Sequence, residues 1–233
     1  MPVPLTAGYK PDLKRIAEEA ERAGGGLIYL CNPNNPTSLF LPKSEVVGLV
    51  NNLPKQTILV LDEAYLHFVE GWEQHSGLPW VREGKNVIVT RTFSKIYGMA
   101  GVRIGYACAR PELIERFRPF RNNAVNVMGM RAVLASLSES AGLIPERRAR
   151  LIKVRTELCQ WLRARGLGYI QPSANFMMIE VGVEARELGL ALLRKEVAVG
   201  RPFPPLNKLL RVTIGTAQDM ERFREAFAQV YRT

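Results

Sequence analysis

The alternation of apolar and polar positions divides the chain into short, recurring pieces. Residues 12–22 place Leu13, Ile16, Ala17 and Ala20 on one helical face, and Gly24, Gly25 and Gly26 follow, so the spacing predicts a helix and then a turn. An apolar strand is expected at 27–31 and a second helix at about 43–52, which Pro54 closes before a strand at 57–61. A loop carrying Gly71, Gly77 and Pro79 leads to a β-branched run at 86–90, and a fourth strand is expected at 102–109. Helices are expected at 112–117 and 126–137, with a long amphipathic stretch at about 144–165. A different rhythm follows: strands at 169–171, 175–181 and 210–214, a helix at 185–195 and a last helix at 218–231. Apolar strands alternating with helices predict an α/β layer, a mainly parallel sheet with helices on both faces, over residues 1–143. The second rhythm predicts a small C-terminal α+β domain over 144–233.

Composition narrows the class. The 233 residues are 47% hydrophobic and 23% charged, which excludes a disordered tail. No stretch has the unbroken apolar length of a membrane span, and residues 1–10 lack the basic flank and apolar run of a signal peptide, so a cytoplasmic protein without membrane contact is expected. Cys31, Cys108 and Cys159 are widely spaced, which suits reduced thiols, and with His67 and His75 the only histidines no metal site is expected. The formal charge of +10 is concentrated at residues 146–165, where Arg147, Arg148, Arg150, Lys153, Arg155, Arg163 and Arg165 alternate with apolar residues. That spacing fits a solvated helix face. With no nucleic-acid-binding motif present, a small anionic ligand is favoured over nucleic acid.

Ligands of open α/β sheets gather at the carboxyl ends of the strands, and the residues there are chemically related. After the first strand comes Asn32-Pro33-Asn34-Asn35-Pro36-Thr37, after the second Asp62-Glu63-Ala64-Tyr65, and after the third Arg91-Thr92-Phe93-Ser94-Lys95. A carboxylate at Asp62, behind a buried strand, calls for a positive partner such as a protonated ring nitrogen, although an isolated Asp there can equally cap a helix. Lys95 can be a solvated lysine or a partly desolvated amine suited to Schiff-base chemistry. Thr92, Ser94 and Arg103 can hold a phosphate, and Arg103 can equally form an ordinary ion pair.

Taken in order, Asn-Pro-Asn-Asn-Pro-Thr, Asp-Glu-Ala-Tyr, Thr-Phe-Ser-Lys and Gly-Val-Arg-Ile-Gly-Tyr closely resemble the fold type I pyridoxal-phosphate (PLP) dependent aminotransferases, and most closely their histidinol-phosphate aminotransferase group. The resemblance implies that Lys95 carries the cofactor as a Schiff base and shuttles a proton, while Asp62 pairs with the ring nitrogen. It implies that Asn35 and Tyr65 bond the 3-oxygen of the ring and that Thr92, Ser94 and Arg103 hold the phosphate. Arg201 and Arg211 match positions that hold the anionic end of the substrate, and Asn175 is a further candidate that a simple turn would also explain. The implied reaction exchanges an amino group between an amino acid or amino-alcohol phosphate and a 2-oxo acid, in a homodimer.

Two departures from the family pattern carry expectations. Ser38 stands where the family usually has glycine, which is accommodated if the backbone there does not require a positive φ. The chain also begins where a family member would already be well into its large domain, so an incomplete PLP-transferase large domain is expected. From this follow unpaired strand edges, an uncovered apolar face, a tendency to self-associate and a weakened cofactor site. The alternatives are a PLP-dependent decarboxylase of a phosphorylated amino acid, which shares much of this motif set, and a non-catalytic binding or assembly module.

Overall fold

The computed structural model describes residues 1–120 and 125–231. Its contacts form two compact units, Met1–Asn34 with Phe40–Glu146, and Asn35–Leu39 with Arg147–Thr233.

The first unit is an α/β layer. Helix α1 (Leu13–Arg22) is capped by the Asp12 side chain, which accepts from the Arg15 N–H at 3.0 Å. It ends where Gly24, Gly25 and Gly26 take φ values of 68°, 108° and 133°, a path that residues with a β-carbon rarely follow. The chain returns as β1 (Leu27–Cys31), and α2 (Lys43–Asn52) then leads to β2 (Ile58–Asp62). Short α3 (Leu78–Arg82) precedes β3 (Val87–Thr92), which β4 (Gly105–Cys108) follows. The sheet order is β1-β2-β3-β4, with the first three strands parallel and β4 antiparallel to β3.

Alternation decides what each face does. Leu30, Leu59, Leu61, Val87 and Val89 point to one side, where Val46 and Leu49 of α2 and Trp80 of α3 close over them, with Leu13, Ile16 and Ala17 of α1 at the margin. On the other side Leu27 and Tyr29 are each 61% exposed. Helices α4 (Pro111–Phe117) and α5 (Val127–Ser138) follow; Val127, Met128 and Leu134 of α5 are exposed. No single described helix is long and apolar enough to cross a membrane.

The fourth strand is shorter than the apolar run 102–109 suggests. Residues 100–102 form a helical turn and Arg103 has φ 60°, so pairing begins only at Gly105, opposite Thr92. A β-carbon at Gly105 would lie 2.7 Å from the Arg91 carbonyl oxygen, so the close approach of the two strands depends on glycine.

The second unit takes up most of the 24-residue α6 (Ser140–Arg163) and a three-stranded antiparallel sheet of β5 (Tyr169–Ile170), β6 (Phe176–Glu180) and β7 (Leu209–Thr213). Helices α7 (Ala185–Leu193) and α8 (Ala217–Val230) complete it, α8 starting on a reciprocal capping box between Thr216 and Asp219. Central β6 is buried from Phe176 to Ile179.

Ser38 reverses the expectation drawn from sequence. Its φ is 64°, so the position does require the left-handed region, and the residue is fully buried. Serine has a use there that glycine lacks: its Oγ accepts from the N–H groups of Ala174 at 2.8 Å and Ser173 at 3.1 Å. These bonds tie residues 35–39 into the second unit, which a boundary placed only near residue 143 does not anticipate.

Candidate active site

Asp62 ends β2 on the open side of the sheet, the side reached by Tyr29 of β1 and Thr90 of β3. Three donors fix its carboxylate. Oδ1 accepts from the Ala64 N–H and from Thr90 Oγ1, both at 3.1 Å, and Oδ2 accepts from the Tyr29 hydroxyl. The helix-capping alternative for Asp62 is thus reduced to one local bond to Ala64, within a set that reaches three strands.

Tyr65, buried three residues on, lies beneath the Lys95 ammonium, whose Nζ is 5.1 Å from the ring centroid. Lys95 is half-buried, and its loop is pinned by the buried side chains of Phe93, Ile96 and Tyr97. Phe93 stacks with Tyr97 at 4.9 Å and with Tyr106 at 5.7 Å, while the Met99 N–H donates to the Phe93 carbonyl at 3.0 Å. The amine is therefore presented on a loop whose neighbours are core residues.

Thr92, Ser94 and Arg103 converge beside it. Thr92 Oγ1 accepts from the Ser94 N–H at 3.0 Å, and an Arg103 Nη1–H donates to Ser94 Oγ at 3.4 Å and to the Ala100 carbonyl at 2.8 Å. Arg103 forms no ion pair among the described residues, which removes the bland explanation for it. Two hydroxyls and an exposed guanidinium with no anionic partner suit a phosphate.

Sequence reasoning missed what holds these groups in place. On the core side of the sheet Glu63, 1% exposed, accepts from Arg91 Nε at 2.9 Å and Nη2 at 2.7 Å, from the Gly77 N–H at 2.6 Å and from Ser76 Oγ at 3.2 Å. Arg91 also lies 4.9 Å from the Trp72 ring centroid. Desolvation opposes the guanidinium charge, but Glu63 outweighs it and holds the Arg91 pKa above its ordinary value. Glu63 follows Asp62 and Arg91 precedes Thr92, so the pair ties the ends of β2 and β3 together behind the two site residues. The available signal was an arginine at a core-facing position of a buried strand, which demands a carboxylate partner.

The histidines serve packing. His67 is buried with its ring 4.4 Å from Trp72 and 5.9 Å from Tyr97, and His75 Nδ1 accepts from the Lys43 N–H at 3.3 Å. Cys31, Cys108 and Cys159 form no disulfide among the described residues.

The remaining candidates fall in the second unit. Asn35 is exposed there, just before Thr37 and Ser38. Arg211 of β7 stacks 3.9 Å above the Phe176 ring and lies 5.7 Å from Phe203, and Arg201 lies 4.1 Å from the same Phe203 ring. The Gly200 N–H donates to the Arg211 carbonyl at 2.8 Å, which holds the segment carrying Arg201 beside β7. Asn175 accepts the Ile214 N–H at its backbone carbonyl, and its side-chain Oδ1 is buried without a hydrogen-bond partner.

Known proteins resemble this chain over most of its length. The family described as aminotransferase class I and II matches residues 1–227. The histidinol-phosphate aminotransferase of Symbiobacterium thermophilum is 39% identical over 227 residues, which are 96% of this chain and 61% of that protein. Histidinol-phosphate aminotransferase 2 of Ralstonia nicotianae is 40% identical over 203 residues, 83% of this chain and 53% of its own length. The solved histidinol-phosphate aminotransferase of Sinorhizobium meliloti, in complex with pyridoxal-5'-phosphate, superposes with a TM-score of 0.87 at 28% identity, covering 100% of this chain and 64% of that one. The chain thus spans between about half and two thirds of the length of these relatives.

Proposed function

The chain belongs to the aminotransferase class I and II family, and from that premise we propose that it is the larger part of a PLP-dependent aminotransferase of the histidinol-phosphate type. The observation that carries this reading is the grouping of Asp62, Tyr65, Thr92, Ser94, Lys95 and Arg103 at one end of one sheet, each with the chemistry that a phosphorylated pyridine requires. The donor set fits: the Asp62 carboxylate keeps a lone pair on Oδ2 for a ring N–H, and Arg103 and the two hydroxyls suit the phosphate.

When bound, the cofactor supplies an electron sink for the bond cleaved at the substrate α-carbon. The chain's own residues do the rest. Asp62 holds a proton on the ring nitrogen, which keeps the sink effective. The Lys95 amine would be the attachment point for the cofactor and would carry the α-proton. Tyr65 orients Lys95 and donates its hydroxyl toward the ring oxygen, with Asn35 assigned to the same oxygen. Arg201 and Arg211 are assigned to the carboxylate or phosphate of the amino donor and of the 2-oxo acid, with Asn175 as a further contact.

The finer attributes belong to the same proposal: domains meeting near residue 143, a cytoplasmic location and a homodimer. Exposed Leu27 and Tyr29 on the sheet and exposed Val127, Met128 and Leu134 on α5 support self-association. A well-behaved monomer in sedimentation would contradict the homodimer.

The test is to incubate the chain with PLP, an amino donor and a 2-oxo acid acceptor and to follow conversion of the acceptor into its amino acid alongside released carbon dioxide. Amino acid formed from the acceptor without carbon dioxide supports the proposal, and carbon dioxide release supports the decarboxylase alternative. A PLP spectrum that is the same in the chain and in Lys95→Ala would overturn both and leave the non-catalytic binding module.

A further inference from the structure

The reading of Asp62 leaves one of its partners without a role. Tyr29 lies in the middle of β1, paired in register with Val60, and its side chain leaves the sheet on the same side as Asp62. The phenol reaches forward along that face and donates its hydroxyl hydrogen to Asp62 Oδ2, the oxygen that neither Ala64 nor Thr90 occupies. The residue is 61% exposed and lies outside the buried core. An exposed tyrosine on a strand flank whose hydrogen bond is made to a carboxylate at the site is poorly explained by packing.

A carboxylate offers about four acceptor positions. Three are taken by donors from three different strands or strand ends, so one is left, on Oδ2 beside the phenol. Oδ1 is held by a backbone N–H and a short threonine side chain, and a donor on Oδ2 restrains the plane of the carboxylate further. Tyr29 supplies that restraint and draws negative charge away from the one lone pair that remains. We propose that Tyr29 is a positioning residue for Asp62: it aims the free lone pair of the carboxylate at the cofactor ring nitrogen and moderates how strongly that nitrogen is held protonated. The proposal rests on the assignment of Asp62 to the ring nitrogen and adds a residue to it that the motif set does not contain.

Two measurements test it. In the chain without cofactor, Tyr29 is followed by NMR of tyrosines labelled with 13C at Cζ, its signal identified by its loss in Tyr29→Phe. Partial burial, the bond to Asp62 and the neighbouring Cys31 thiol together push the phenol well above its ordinary range. It is expected to resist titration there and to move back toward the ordinary range in Asp62→Asn, while the other tyrosines stay unchanged. A Tyr29 that titrates normally, or one that Asp62→Asn does not move, overturns the proposal.

With cofactor added, loss of one partly exposed hydrogen bond to a charged group is expected to weaken binding about threefold to tenfold in Tyr29→Phe. Because the carboxylate then carries more unshared negative charge, the pH midpoint of the visible absorbance of bound cofactor should move upward, a change that a purely structural role would not produce. Normal affinity and an unmoved midpoint in Tyr29→Phe overturn the proposal while leaving Asp62 and Lys95 in their assigned roles. Absence of lysine-bound cofactor in both proteins overturns the assignment itself and the proposal with it.

Discussion

Replacing Glu63 by glutamine keeps the shape of the side chain and removes the carboxylate that pairs with buried Arg91. Glu63 is 1% exposed and Arg91 is 7% exposed, so solvent cannot take over the lost interaction. Two of the four bonds to Glu63 come from the guanidinium, at 2.7 and 2.9 Å, and one new amide N–H would point at a donor instead of an acceptor. Leaving one charge of a buried pair uncompensated costs about 3–5 kcal/mol. The retained carbonyl oxygen can still accept one bond, which places Glu63→Gln near the lower figure. For a chain of this size that corresponds to a fall in Tm of roughly 6–12 °C. Urea denaturation followed by tryptophan fluorescence is a suitable assay, because Trp72 stacks on Arg91 and reports the loss directly. Since Asp62 and Thr92 adjoin the pair, cofactor binding is expected to weaken in Glu63→Gln under conditions where the protein is still folded. A loss below about 1 kcal/mol, the range of exposed pairs, would show that the pair does not clamp the strand ends and would refute the reasoning.

Three further substitutions probe other parts of the account. Ser38→Ala keeps the left-handed backbone and leaves the Ala174 N–H buried without an acceptor, an expected loss of about 1–3 kcal/mol; Ser38→Gly, relieved of the backbone strain, should lose less, and an equal loss in both would refute the role given to the hydroxyl. Gly77→Ala would put a β-carbon 2.7 Å from Leu61 Cδ2 and 3.1 Å from Val89 Cγ2, so overpacking of about 1–3 kcal/mol is expected in thermal unfolding, and a neutral result would contradict the close packing behind Glu63. Thr216→Ala removes the cap of α8 and should cost about 1 kcal/mol at neutral pH. The Thr216 hydrogen bonds hold the Asp219 pKa below its ordinary value, so this stabilisation is present above the unfolded carboxylate pKa and is lost as the pH falls through the lower folded value. The gap between the two proteins should therefore narrow in acid without closing, because the bond from the Asp219 N–H to Thr216 Oγ1 does not titrate, and a gap that is unchanged at low pH would contradict the pairing.

The elements whose pattern was carried by burial were legible in the sequence. The strands leading to Asn32, Asp62 and Thr92 are rich in Leu, Ile and Val, and helices α1 and α2 end near glycine or before proline, so local chemistry and tertiary packing agree. The fourth strand was overextended because residues 102–104 are apolar enough to read as strand, whereas the left-handed Arg103 leaves no trace in hydropathy. The motif residues of the site were legible by their order along the chain. Their supports were not: Tyr29, Glu63 and Arg91 act through neighbours on other strands, and register sets those distances. Ser38 shows the same limit, since its hydroxyl works across more than 130 positions of sequence to reach Ala174.

The central claim is that Lys95 is the amine that carries the cofactor at a site built by Asp62, Tyr65, Thr92, Ser94 and Arg103. Loading the chain with PLP, reducing with borohydride and mapping the modified peptide by mass spectrometry tests it most directly. The label is expected on Lys95 alone and is expected to disappear in Lys95→Ala. A label spread over surface lysines, or one retained in Lys95→Ala, would contradict the account.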